Sequence, residues 1–248
     1  MSAVLFLHGA MSDARAWAGQ AERLAAMGHD VRNPDLPGHG ARAEEGGARD
    51  LEGLAASLRG EILSLDRPVL VGWSLGAAVA LRLALDGAPV SGLVLVGATP
   101  QAVADEAFPH ALPAGAARQR DQGLRASYAA TARLFARQVA PESDEARALV
   151  EAMALDCPPE TARAVFDAAW TDGLTGEVAR LAVPTVLIHG EPDRVVPIAA
   201  ARWLERALPG SRGLHVLEEA GHAPQLSDPT LFAEVLDEAL AALGRHPA

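Results

Sequence analysis

A chain of 248 residues that is half apolar and about one-fifth charged can build one larger domain, or a core carrying an insertion, and is neither disordered nor collagen-like. Its formal net charge of −11 disfavours non-specific nucleic-acid binding, and because all 21 basic residues are Arg, Lys Schiff-base chemistry, a pyridoxal aldimine and a Walker-type phosphate loop are excluded. Cys157 is the only cysteine, which rules out an intrachain disulfide or a Cys-cluster zinc site and points to a reducing cytoplasm.

The first predicted element is a strand at Val4–Leu7. It lacks the basic leader and longer apolar run of a signal peptide, and no stretch approaches the ~20 apolar residues of a membrane span, so neither secretion nor membrane insertion is expected. His8-Gly9 then marks a turn. Trp17, Ala21, Leu24 and Ala25 share one face of a first helix, a strand follows around Val31, and Asp35-Leu36-Pro37-Gly38-His39-Gly40 is a turn-rich loop. Leu51, Leu54, Leu58, Ile62 and Leu65 form the stripe of a second helix, and Val69–Val71 is the next strand. After a helical run from Ala77 to Leu85 and a strand at Leu93–Val96, the rhythm breaks between Pro100 and Pro184, where the chain is helical in propensity and rich in Arg and Ala. Strands at Val186–Ile188 and Leu214–Leu217 and a helix striped by Leu231, Val235, Leu236 and Leu240 complete the pattern. Short apolar strands alternating with helices predict an α/β fold, a mostly parallel central sheet flanked by helices. Residues 1–100 and 182–248 would form the core, and 101–181 a helical lid inserted into it.

Gly72-Trp73-Ser74-Leu75-Gly76 lies between a strand and a helix. A sharp turn there forces the serine into a strained conformation that needs small residues two before and two after it, and presents the hydroxyl at the positive end of a helix. A serine nucleophile needs a general base, and the base needs a group that fixes its tautomer. His222, in the loop after the last strand, and Asp193, in Gly190–Pro197 after the preceding one, supply them in the chain order Ser74, Asp193, His222. Glu191 is the substitute acid; His8, His39 and His189 read as residues that shape turns and strand ends. The backbone N–H groups of Leu75 and Ala10 are the candidate oxyanion donors. No histidine pair or carboxylate cluster has ligand spacing, so neither a metal nor a cofactor is expected.

Through these motifs the chain resembles the α/β-hydrolase superfamily over nearly its whole length, and within it the BioH family, the pimeloyl-acyl-carrier-protein methyl ester esterases of biotin synthesis. The more specific matches are the Trp73-containing elbow, His222-Ala223-Pro224 with Ser227 and Pro229 behind it, and Asp105-Glu106 before Phe108-Pro109. The chain departs at Ala10, where the family has a Trp lining the acyl pocket, and at Ala77, where it has Gly.

Between Ala114 and Arg137 stand Arg118, Arg120, Arg125, Arg133 and Arg137 against one acid, Asp121. In one continuous helix four of the five would share a side, either as a solvated face or as a dock for an acidic partner. The resemblance makes an acyl-carrier protein that partner, with Arg125, Arg133, Arg137 and Arg147 as docking residues and Trp73, Leu134 and Phe135 lining the acyl tunnel. It implies a serine esterase that releases methanol from a carrier-bound ester. A general carboxylesterase on small free esters, a MenH-type lyase and a non-catalytic ligand receptor on the same scaffold are the alternatives; the lyase family places an Arg where this chain has Ala78.

Overall fold

Runs such as Val4-Leu5-Phe6-Leu7 have no polar alternation because both faces of the sheet they form are covered. The structure is a computed structural model describing residues 2–47 and 49–244. Strands β1 (Ala3–Leu7), β2 (Asp30–Arg32), β3 (Val69–Trp73), β4 (Gly92–Val96), β5 (Thr185–Gly190) and β6 (Ser211–Leu217) build one sheet in the order β2-β1-β3-β4-β5-β6. Every pairing is parallel, so the sheet expected to be mostly parallel is wholly so among the described residues. The least apolar and least buried strands, β2 and β6, occupy the edges.

Successive side chains along each strand serve opposite layers. Val4, Phe6, Val71, Val94, Val96 and Ile188 pack with Trp17 and Leu24 from the region of α1 (Ala18–Ala26) and with Phe232 and Leu236 of α11 (Pro229–Leu243). On the other face Leu5, Leu7, Leu70, Leu93, Leu95 and Leu187 meet α2 (Leu51–Ser57), α3 (Arg59–Leu63), α4 (Leu75–Leu85) and α9 (Ile198–Ala207). The single helix expected across Leu51–Leu65 is therefore two. At Leu58 the hydrogen-bond ladder tightens, its N–H reaching Ala55 O at 3.1 Å while its backbone stays in the helical region, and all five leucine and isoleucine side chains of the stripe stay buried.

From β1 the chain goes to β2 on one side and then to β3 on the other, so a crevice opens between the carboxyl ends of β1 and β3. Four helices inserted between β4 and β5 stand at that end: α5 (Ala114–Ala126), α6 (Tyr128–Val139), α7 (Asp144–Asp156) and α8 (Pro159–Ala168). The segment holding the arginines is not one continuous helix: it is broken at Ser127, whose extended backbone (φ −155°, ψ 85°) turns the chain from α5 into α6. Among the described residues no helix is long and apolar enough to cross a membrane.

Candidate active site

Ser74 sits where β3 turns into α4, with φ 54° and ψ −113°. A non-glycine residue at positive φ costs about 1–3 kcal/mol and persists only where its surroundings over-determine it. Here the Ser74 N–H is held by Val96 O at 2.9 Å, and α4 packs so close to β1 that a Cβ on Gly76 would stand 2.2 Å from Leu7 O. The hydroxyl is thus presented at the N-terminus of an 11-residue helix, whose first amide, Leu75 N–H, has no intrahelical acceptor. Across the crevice the turn after β1 carries Ala10. It is shaped by the buried His8, which donates from Nδ1 to Gly9 O at 2.8 Å and accepts the Leu36 N–H on Nε2 at 2.9 Å. Burial pushes the His8 pKa down, which suits a neutral ring using Nε2 as an acceptor.

The loop after β5 bends Asp193 back toward the sheet. Its Oδ1 accepts the Val195 and Val196 N–H groups at 2.7 and 2.9 Å, leaving Oδ2 to take the Nδ1 side of His222 at 2.7 Å. Both side chains are buried. Burial by itself would raise the Asp193 pKa; the charge and hydrogen bond of His222, the nearby His189 ring and the Val196 amide outweigh it and hold the carboxyl below the ordinary carboxylate range. His189 donates from Nε2 to Val196 O at 2.9 Å, and the same nitrogen lies 3.3 Å from Asp193 Oδ2.

With Nδ1 committed to Asp193, the His222 Nε2 is buried and has no hydrogen-bond partner, so the bond from Ser74 Oγ is not formed in this structure. The ring lies beside the elbow: Trp73 Nε1 donates to His222 O at 2.7 Å, and Gly97, directly after β4, leaves room that a Cβ would fill 2.9 Å from His222 Cε1. Gly97 also has φ +56°, so its lack of a side chain is required twice. Its role had no sequence signal, because it depends on the imidazole approaching from a loop more than a hundred residues away.

Ser74, Ala10, Leu75, Leu134, Phe135 and Val195 contribute to the wall of a cavity of about 560 Å³, within the usual range for small-molecule sites. Leu134 and Phe135, proposed from the sequence as acyl-tunnel residues, lie on this wall, and Leu134 is 55% exposed. Trp73 does not line this cavity: it is buried beneath it, packed on Gly9 and bonded to the His222 carbonyl, so it supports the His222 loop. Its flat ring fills the space a missing Cβ leaves at Gly9, which explains an aromatic at this place in the elbow.

The competing acids serve other ends. Asp35 ties its own loop to Ala14 N and Ala41 N at 2.7 Å each, and Glu191 is exposed, with Arg202 at 3.8 Å. The arginines of the inserted helices are spread over local partners: Arg125 on Asp167 at 2.6 Å, Arg133 on Glu151 at 3.1 Å and Arg147 on Asp144 at 2.6 Å. Arg120 stacks 3.9 Å over the Phe166 ring, and Arg137 has no ion pair among the described residues.

A family model described as alpha/beta hydrolase matches residues 4–235. The chain belongs to the alpha/beta hydrolase family. Among its curated relatives is a pimeloyl-acyl-carrier-protein methyl ester esterase of Nitrosomonas europaea, 32% identical over 94% of either chain. Another of that name, from Chromobacterium violaceum, is 31% identical over 96% of this chain and 93% of its own. These relatives bear out the resemblance read from the elbow and the histidine loop. In fold this alpha/beta hydrolase superposes on an esterase from Exiguobacterium antarcticum with a TM-score of 0.89, at 22% identity over 97% of this chain and 93% of that one. An enol-lactonase from Burkholderia xenovorans gives 0.84 at 18% identity, over 97% and 91%.

Proposed function

We propose that the protein is a serine carboxylester hydrolase in which Ser74 is the nucleophile, His222 the general base and acid, and Asp193 its orienting carboxylate, acting on the methyl ester of a pimeloyl chain carried by an acyl-carrier protein in biotin synthesis. The observation that carries the chemistry is the Asp193–His222 bond, which leaves Nε2 of a buried imidazole unpartnered, together with a strained serine that opens into an apolar cavity. The substrate reading rests on the names of the curated relatives together with Leu134 and Phe135, which give an aliphatic chain an apolar wall.

In the forward step Ser74 Oγ attacks the ester carbonyl while His222 Nε2 takes its proton, and Asp193 stabilises the imidazolium. The negative charge that develops on the former carbonyl oxygen is met by the Ala10 and Leu75 amides. Collapse breaks the bond to the alkoxy oxygen, His222 returns the proton, and methanol leaves. His222 then deprotonates a water, which attacks the acyl-serine and releases the carboxylic acid with Ser74 restored. Residues 101–181 act as the lid over this cavity, and the inserted helices receive the carrier through Arg125, Arg133, Arg137 and Arg147. The buried thiol of Cys157 accords with a reducing cytoplasm. A general carboxylesterase on small free esters is favoured by one observation, the local neutralisation of three of those four arginines.

Ser74→Ala tests the nucleophile. Hydrolysis of p-nitrophenyl butyrate and labelling by a fluorophosphonate should both fall below about a thousandth of wild type with the fold unchanged; retention of most activity in a contaminant-free sample refutes the assignment.

A further inference from the structure

The inserted helices hold the histidine loop between α6 and α7. The His222 N–H donates to Val139 O at 3.0 Å, and the Gly221 N–H donates to Glu142 Oε1 at 2.7 Å. The approach is so close that a Cβ on residue 221 would stand 2.8 Å from Glu142 Oε2 and 3.1 Å from both Pro141 Cδ and Val139 O. Two consecutive amides ahead of the imidazole are therefore held by the insertion, while Asp193 holds the ring from the core. The last residue of α6, Val139, lies one helical turn beyond Phe135, and Leu134, Phe135 and Gln138 all contribute to the cavity wall. One helix thus carries both part of the substrate wall and the anchor of the base.

We infer that Glu142 is a positioning residue for the reaction at Ser74: its carboxylate fixes the Gly221–His222 backbone to the inserted helices, so that the imidazole is held ready for the serine proton. The inference rests on the reading of His222 as the base. Glu142 does not line the cavity, so its loss would not change ground-state binding of a small ester. It would instead spread the histidine loop over more conformations and lower the fraction of molecules with Nε2 in place, an effect on turnover. What the contact needs is an acceptor oxygen, which a glutamine also provides.

The test compares the full chain as wild type, Glu142→Ala, Glu142→Gln and His222→Ala on p-nitrophenyl butyrate. Glu142→Ala should lower kcat about five- to tenfold with KM within about twofold, and Glu142→Gln should recover kcat to within about twofold of wild type. Amide hydrogen exchange at Gly221 and His222 should quicken in Glu142→Ala while the central strands stay protected. Wild-type kcat in Glu142→Ala, an equal loss in Glu142→Gln, or exchange that quickens throughout the chain would each overturn the proposal. His222→Ala separates the two levels: if it stays active the base assignment has failed, and if it is inactive while Glu142→Ala is unimpaired only the anchor has failed.

Discussion

The indole N–H of Trp73 donates to the backbone carbonyl of His222 at 2.7 Å, joining the residue before Ser74, the proposed nucleophile, to the proposed base. The two lie 149 positions apart in the chain, and their rings pack with centroids 5.7 Å apart. Trp73→Phe keeps most of the ring volume and removes the donor, leaving a buried carbonyl unsatisfied at a cost of about 1–3 kcal/mol. For a chain of this size that corresponds to a melting temperature lower by roughly 3–10 °C. Because the same bond fixes the backbone of the proposed base, kcat should fall about tenfold with KM little changed. Unaltered melting and unaltered kcat together would show that the bond contributes nothing.

Three buried histidines make stability depend on pH. Burial pushes the His39 pKa down to about 3, with the neighbouring His8 adding to the effect, and burial likewise lowers His8 and His189 from the ordinary value of 6.5. As pH falls below that value the unfolded chain takes up protons that the folded chain refuses, so their stabilisation is full above it and is lost progressively on acidification. Asp193 behaves as a depressed acid: its contribution is present above the unfolded value of 3.8 and is lost only as pH falls through its lower folded pKa, so it leaves the range from 7 to 5 unaffected. Urea unfolding should therefore give a flat stability from pH 8 to 7 and a decline below 6, to which His39 contributes close to one proton, ~1.4 kcal/mol per pH unit, and His8 and His189 add in the same direction. His39→Asn should remove about one proton from that slope. A profile flat down to pH 5 would show that these rings titrate normally.

What could be read from the sequence was what is encoded locally. The elbow around Ser74 carries its own strand, glycines and helix, and the loops bearing Asp193 and His222 follow recognisable strands, so the local setting of each was legible, whereas the bond between Asp193 and His222 was not. The continuous both-face apolar runs of β1, β3, β4 and β5 marked a parallel sheet for the same reason. Residues whose role arises from approach across the fold were not legible. Gly97 is one of many glycines until the His222 ring fills the space above it, and Glu142 is one of many exposed acids until Gly221 arrives beneath it. Trp73 was misplaced because an aromatic beside a nucleophile fits a pocket wall as well as it fits a buried support. The break at Leu58 kept the hydrophobic stripe of its helix, and periodicity alone does not register a local change in the hydrogen-bond ladder.

The carrier reading makes a prediction that ranks the arginines. Arg125, Arg133 and Arg147 each already face a carboxylate within 3.1 Å, whereas Arg137, exposed near the end of α6, faces none among the described residues. An exposed ion pair is worth only about 0.2–1 kcal/mol, yet a paired guanidinium must share or surrender that contact to bind a new anion, and an unpaired one need not. With a carrier-bound methyl ester at low salt, Arg137→Ala should therefore raise KM more than Arg133→Ala, by about three- to tenfold against about twofold. Both effects should shrink in 0.5 M NaCl as the interaction is screened. The free methyl ester of the same acid should be hydrolysed with a far smaller change in either variant. Equal losses on carrier-bound and free ester, or no dependence on salt, would count against docking through these arginines and in favour of an esterase for small free substrates.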